Sequence, residues 1–63
     1  MTQKELLYVE DAVGHEDNII KIINETMELL EDKKLKSFLK KELKNHENMK
    51  CKLMNMLEVN SNE

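Results

Sequence analysis

Apolar residues in the first half of the chain recur at alternating steps of three and four, the spacing of a helix with one buried stripe. The stripe consists of Leu6, Val9, Val13, Glu16, Ile20, Ile23, Met27 and Leu30. Ala12 and Ile19 lie beside it, followed by Tyr8, His15, Ile22 and Leu29. At 100° per residue these positions form an arc of roughly 160°, which is wider than one partner helix covers.

A second stripe follows in the other half of the chain, out of phase with the first. Its members are Leu35, Leu39, Glu42, His46, Met49, Leu53 and Met56, and it is flanked by Phe38, Leu43 and Leu57. Continuing the first repeat would put Lys34 and Ser37 in the stripe, so the phase slip predicts a turn near residues 31–32. Asp32 is a candidate N-cap of the second helix. Thr2 and Glu5 have the spacing of a capping box, which predicts a helix start near Gln3.

The predicted fold is all-α: a single domain, residues 1–63, folded as an antiparallel two-helix hairpin. The helices are expected over about 3–31 and 33–58, followed by a frayed tail at 59–63. One glycine, no proline and 3% aromatic residues favour helices over strands. The competing fold is one long helix in a coiled-coil dimer, but the phase slip and the wide arc favour the hairpin. A lone hairpin encloses no core, so two copies are predicted to form a four-helix bundle; a higher oligomer stays open.

Size and charge narrow the possible functions. At 63 residues the chain is near the lower limit for independent folding. Cys51 is the only cysteine, so no disulfide can form within the chain. Metal binding or self-association is then the expected source of extra stability. The lone thiol and the lack of a signal peptide predict a cytoplasmic protein, and the short apolar runs predict no membrane span. Residues 1–31 carry two lysines against eight acidic residues, and residues 32–63 carry eight lysines against five. Neither half predicts nucleic-acid binding, and the two halves should attract each other.

Three polar residues interrupt the two stripes. In the predicted hairpin Glu16 lies at the level of His46, and Glu42 lies about one turn nearer the connection. Unpaired burial would cost several kcal/mol, so each should have a partner. In one interpretation hydrogen bonds among them fix the register of the helices. In the other, dimer symmetry gives four carboxylates and two imidazoles, a ligand set for Fe, Mn or Zn. The Glu42–His46 spacing of four differs from the Glu-x-x-His of ferritin-like sites.

Two segments resemble a known family. Residues 2–7 match a Thr-x-Lys-Glu-Leu-Leu start, and residues 32–38 match an Asp-x-x-Leu-Lys-x-Phe segment that opens the second helix. Asn45 and His46 follow near the middle of that helix. In these features the chain is similar to the small spore coat proteins of clostridia and bacilli, the coat-protein-F group, over about residues 2–57. The resemblance implies a self-associating structural protein on a ferritin-like bundle, located in a spore coat beside other coat proteins.

Three functions are therefore predicted from the sequence. The first is a non-enzymatic structural or assembly protein that dimerises through its wide apolar face and needs no cofactor. The alternative is a small metal-binding bundle with Glu16, Glu42 and His46 as ligands of Fe, Mn or Zn. The third is an adaptor for another protein's helix. The sequence contains no nucleophile–base set, phosphate-binding loop or CxxC pair, so we do not expect an enzyme.

Overall fold

The structure, a computed structural model, describes residues 1–61 as two α-helices joined by a short turn. Helix α1 spans Gln3–Leu29 and helix α2 spans Lys33–Ser61. They pack against each other along a body whose Cα atoms extend over 47 × 14 × 12 Å. The predicted helical hairpin is confirmed. A single continuous helix is wrong, because the chain reverses direction between Leu29 and Lys33.

Helix α1 begins with the predicted capping box. The Oγ1 atom of Thr2 accepts a hydrogen bond from the backbone N–H of Glu5 at 3.1 Å. In return the Glu5 carboxylate accepts one from the backbone N–H of Thr2 at 2.8 Å. These bonds favour the ionised carboxylate and lower the pKa of Glu5 below its ordinary value. Two backbone donors that the first helical turn leaves unsatisfied are therefore paired.

The turn is closed by Asp32, the predicted N-cap of α2. Its Oδ1 atom accepts hydrogen bonds from the backbone N–H groups of Lys34 at 2.8 Å and Leu35 at 3.0 Å. At the end of α1, Leu30 leaves the helix with an extended backbone (φ −87°, ψ 140°). No non-glycine residue among residues 1–61 has a positive φ, so this turn forms without glycine.

Replacing Asp32 with alanine is expected to cost about 1 kcal/mol of unfolding free energy, because two N–H groups at the start of α2 lose their acceptor. Asp32→Asn keeps an acceptor oxygen and should cost only a few tenths of that amount. Urea unfolding followed by circular dichroism measures both. Equal losses for the two variants would contradict the capping role.

The helix ends differ slightly from the predicted ones. Helix α1 ends at Leu29, two residues before the predicted end near 31. Helix α2 continues to Ser61 instead of ending near 58. The segment after Leu57 contains neither proline nor glycine, so nothing in it forces the helix to stop. The rest of the predicted frayed tail, residues 62–63, lies outside the described residues.

The inner side of α1 is the predicted stripe, and every member of it is at least partly buried. Ile23 is the most protected side chain of the described residues, with 7% of its surface exposed. The inner side of α2 differs from the prediction. Leu35, Met49 and Met56 are about half exposed, while Leu43, Lys50 and Leu57 are partly buried. Leu39, Glu42, His46 and Leu53 of the predicted stripe are partly buried. The stripe that faces α1 is therefore rotated by about half a residue position, roughly 50°, from the predicted stripe.

The hairpin has one polar and one apolar side. On the polar side Lys50 forms an ion pair with Asp17 at 2.6 Å, and Glu28 shares a groove with Lys36 and Lys40. At 100° per residue, the opposite flank of each helix carries large apolar side chains. These define the open apolar face: Tyr8, Ile22, Leu35, Phe38 and Met49, all at least half exposed. Because the polar flanks meet across one groove, the apolar flanks share the opposite side.

The open apolar face is a stripe on an otherwise charged hairpin. Ala12, Ile19 and Thr26 continue it toward the seam between the helices, and all three are partly buried. Within the described part of the chain, neither helix is apolar over enough of its length to cross a membrane.

Candidate functional site

The three predicted polar residues come together at the middle of the hairpin. His46 Nδ1 lies 2.6 Å from the Glu16 Oε2 atom across the seam between α1 and α2. This contact confirms the predicted register, in which Glu16 of α1 lies at the level of His46 of α2. Among residues with described side chains, no buried polar side-chain atom lacks a hydrogen-bond partner. The seam therefore carries its polar pair without an unsatisfied group.

Glu42 approaches the other nitrogen of the same imidazole ring. It lies one helical turn before His46, and its Oε2 atom is 3.9 Å from His46 Nε2. That distance is too long for a hydrogen bond. The exposed side-chain fraction rises from 15% at Glu16 to 29% at His46 and 39% at Glu42. Glu16, His46 and Glu42 thus form a polar layer that runs from the seam outward. Glu42 lies on the flank of α2 that carries Leu35 and Met49.

The contact with Glu16 sets the chemistry of His46. A carboxylate can only accept a hydrogen bond. Nδ1 therefore carries a proton, and its N–H donates the hydrogen bond to Glu16. In the neutral ring this leaves a lone pair on Nε2, the atom that faces Glu42. A histidine held in this way can accept a proton or bind a metal ion through Nε2.

The three residues do not surround one point within a single chain. Glu16 and Glu42 lie against opposite nitrogens of the His46 ring, so one ion cannot contact all three. In the described part of the chain, no three His, Cys, Asp or Glu side chains are placed to hold a metal ion together. A single hairpin therefore offers two ligands at most at this layer, Glu42 and His46.

Two further features lie on the polar side of the hairpin. The hydrogen bond and the negative charge of Asp17 raise the pKa of the Lys50 ammonium above its ordinary value. This pair was not among the contacts predicted from the sequence, although the acidic first half and the basic second half were the signal for it. Cys51 is a free, exposed thiol. It lines a shallow groove with Ile20, Glu47, Lys50 and Met54.

No family model, curated protein or solved structure matches this chain. The resemblance to the coat-protein-F group therefore stays a prediction from the two segments that carry it.

Replacing His46 with leucine is expected to cost about 1–3 kcal/mol, because the Glu16 carboxylate keeps its position in the seam without its donor. The double variant Glu16→Leu/His46→Leu should recover most of this loss, because it fills the seam with apolar groups. Urea unfolding of the two single variants and the double variant gives the coupling free energy. Simple additivity of the single losses would contradict the pairing.

Proposed function

We propose that this chain is a non-enzymatic structural or assembly protein whose working unit is a homodimer, formed when two hairpins join their open apolar faces into a four-helix bundle. The observation that carries the proposal is the one-sided distribution of exposed apolar side chains. Tyr8, Ile22, Leu35, Phe38 and Met49 lie on one side, whereas the other side carries the Lys50–Asp17 ion pair and a single exposed methionine, Met54, among its groove residues. A contiguous apolar surface of this kind is typical of a protein interface.

The exposed area supports this proposal. One chain exposes 5283 Å², whereas a compact protein of its 7.5 kDa mass would expose about 4200 Å². The excess of about 1000 Å² is close to the roughly 800 Å² that each partner buries in a standard interface. The Cα radius of gyration is 14.5 Å, compared with about 10.6 Å for a compact domain of this length. One chain is thus more exposed and more extended than a compact domain of its size, as expected for one protomer of a larger bundle.

Charge indicates how the second copy is oriented. Helix α1 carries two lysines and seven acidic residues, and α2 carries eight lysines and three acidic residues. A twofold axis parallel to the helices places each acidic α1 beside the basic α2 of the other copy. A twofold axis across the helices would instead place α1 on α1 and α2 on α2, where like charges repel. The first arrangement is the one we propose.

Location in a spore coat is supported by the sequence resemblance of residues 2–7 and 32–38. A small rigid bundle with charged outer surfaces suits a repeating layer, in which the dimer contacts further copies or other coat proteins. This part of the proposal is tested by locating the tagged protein in the native organism and asking whether it fractionates with a spore coat.

Sedimentation equilibrium of the full-length, untagged chain tests the dimer. At micromolar concentration we expect twice the 7.5 kDa mass of one chain, and helicity unchanged by EDTA. A folded monomer would reject the proposal. A monomer that keeps an exposed apolar face would instead favour the adaptor function, in which another protein's helix occupies that face.

A further inference from the structure

We propose that two copies of this chain together bind one divalent transition-metal ion of the Zn²⁺ class, with the Glu42 carboxylate and the His46 Nε2 atom of each copy as its ligands. In this site Glu16 is a positioning residue and does not touch the metal. The inference rests on the proposed dimer, because one hairpin supplies only two of the four ligands.

The orientation of the imidazole ring is the first argument. Metal-binding histidines usually donate their other ring N–H to a carboxylate, which fixes the ring and makes the ligating nitrogen more basic. Here Nδ1 donates to Glu16 at 2.6 Å. The free lone pair is therefore on Nε2, and Glu16 holds the ring so that this atom faces Glu42.

The spacing of the two ligand atoms is the second argument. A tetrahedral ion with bonds of 2.0–2.2 Å holds two ligand atoms about 3.4 Å apart. The observed distance between His46 Nε2 and Glu42 Oε2 is 3.9 Å. A small rotation of the Glu42 side chain, which is 39% exposed, closes this gap. Direct hydrogen bonding between the two groups would require a closer approach.

The position of the pair in the proposed dimer is the third argument. Glu42 lies on the open apolar face, because Leu35 and Met49 are one heptad before it and one heptad after it on the same side of α2. With the twofold axis parallel to the helices, the Glu42–His46 pairs of the two copies lie at the same level and face each other. Four ligands, two carboxylates and two imidazoles, then converge at the centre of an apolar interface.

The donor set indicates the class of metal. Imidazole nitrogen binds Zn²⁺ and its neighbours in the transition series, whereas Ca²⁺ and Mg²⁺ require a shell of oxygen ligands. Two imidazoles in four ligands therefore exclude Ca²⁺ and Mg²⁺ as good occupants. A layer that only fixes register differs in a testable way. It is complete within one chain through Glu16 and His46, and it gives Glu42 no role.

The test uses the full-length, untagged chain after metal removal. Calorimetric titration with Zn²⁺ is expected to give one ion per two chains, and Co²⁺ should produce the strong visible absorption of tetrahedral coordination. Glu42→Gln and His46→Gln should each abolish stoichiometric binding. Glu16→Gln should keep the stoichiometry and weaken binding by about 10–100-fold, as expected for a residue that orients a ligand. Glu47→Gln is the control, because it makes the same change on the same helix but in the groove on the polar side, away from the layer.

Sedimentation equilibrium of the same samples separates the possible outcomes. A metal-free dimer that does not bind Zn²⁺ stoichiometrically overturns this inference and leaves the proposed function standing. A chain that is monomeric with and without Zn²⁺ overturns both. Dimerisation only upon addition of Zn²⁺ supports the shared site and overturns the metal-independent dimer. One ion per chain, or an equal loss of affinity in Glu47→Gln, shows surface binding and overturns the site. Circular dichroism of Glu42→Gln, whose altered side chain is solvent-accessible, verifies that lost binding is not lost folding.

Discussion

Replacing Met49 with glutamate is expected to dissociate the proposed dimer, whereas replacing Met54 with glutamate is expected to leave it intact. The two methionines lie on the same helix and are equally exposed in the single hairpin, at 50% and 49%. They differ in side: Met49 belongs to the open apolar face, and Met54 lines a groove on the polar side with Lys50 and Cys51. Because the two side chains are equally exposed, the two substitutions would have similar effects in an isolated hairpin.

The expected size of the Met49→Glu effect follows from replacing an apolar side chain of the interface with a charged one, whose desolvation costs several kcal/mol. Each dimer contains two such sites, so the dissociation constant should rise at least about 100-fold, equivalent to 2.7 kcal/mol. Sedimentation equilibrium over a range of concentrations measures this change for both variants. Equal behaviour of Met49→Glu and Met54→Glu would mean that the open apolar face is not the dimer interface.

Local signals in the sequence were sufficient to predict the hairpin. The capping box at Thr2 and Glu5 and the N-cap at Asp32 depend on hydrogen bonds within four residues, so they are visible in the sequence itself. The phase slip between the stripes then predicts where the chain turns. Once the turn is placed, an antiparallel register follows by counting, and this is why the Glu16–His46 contact was predictable.

The rotation of α2 was not predictable from its apolar pattern. Leu39 of the predicted stripe is partly buried, but beside it Leu43 and Leu57 are partly buried in place of Leu35 and Met49, so the apolar arc of α2 is centred away from α1. An apolar arc records every neighbour that a helix has, including a helix from a second copy. A centre displaced from the observed partner is expected for a helix with two neighbours, as in a four-helix bundle. The error therefore agrees with the proposed dimer.

The roles within the polar layer also required the structure. Glu16 and Glu42 are the same residue type, and both interrupt an apolar stripe in the sequence. Only the side-chain geometry shows that they contact opposite nitrogens of His46, one at 2.6 Å and the other at 3.9 Å. This difference separates a residue that orients the ring from one that faces its free lone pair.

Replacing Ile23 with alanine is expected to cost about 3 kcal/mol, because Ile23 is the most deeply buried described side chain and its truncation leaves a cavity in the seam. For a domain of this size that loss lowers the melting temperature by about 12–24 °C. Since a chain of 63 residues has only about 3–9 kcal/mol of stability to lose, the variant should be close to unfolding at room temperature. Thermal unfolding followed by circular dichroism measures the shift, and a change below about 1 kcal/mol would contradict a seam built around Ile23.

The neighbouring residue provides a control whose sign depends on the dimer. Ile22 is the same residue type on the same helix, but 59% of its surface is exposed in the single hairpin. In an isolated hairpin Ile22→Ala would be neutral or slightly stabilising, because alanine is the better helix former. In the proposed dimer the substitution removes apolar area from the interface, so it should destabilise the protein, more strongly at low protein concentration. A destabilisation by Ile23→Ala together with a concentration-dependent destabilisation by Ile22→Ala would require that both the seam and the open apolar face are covered in solution.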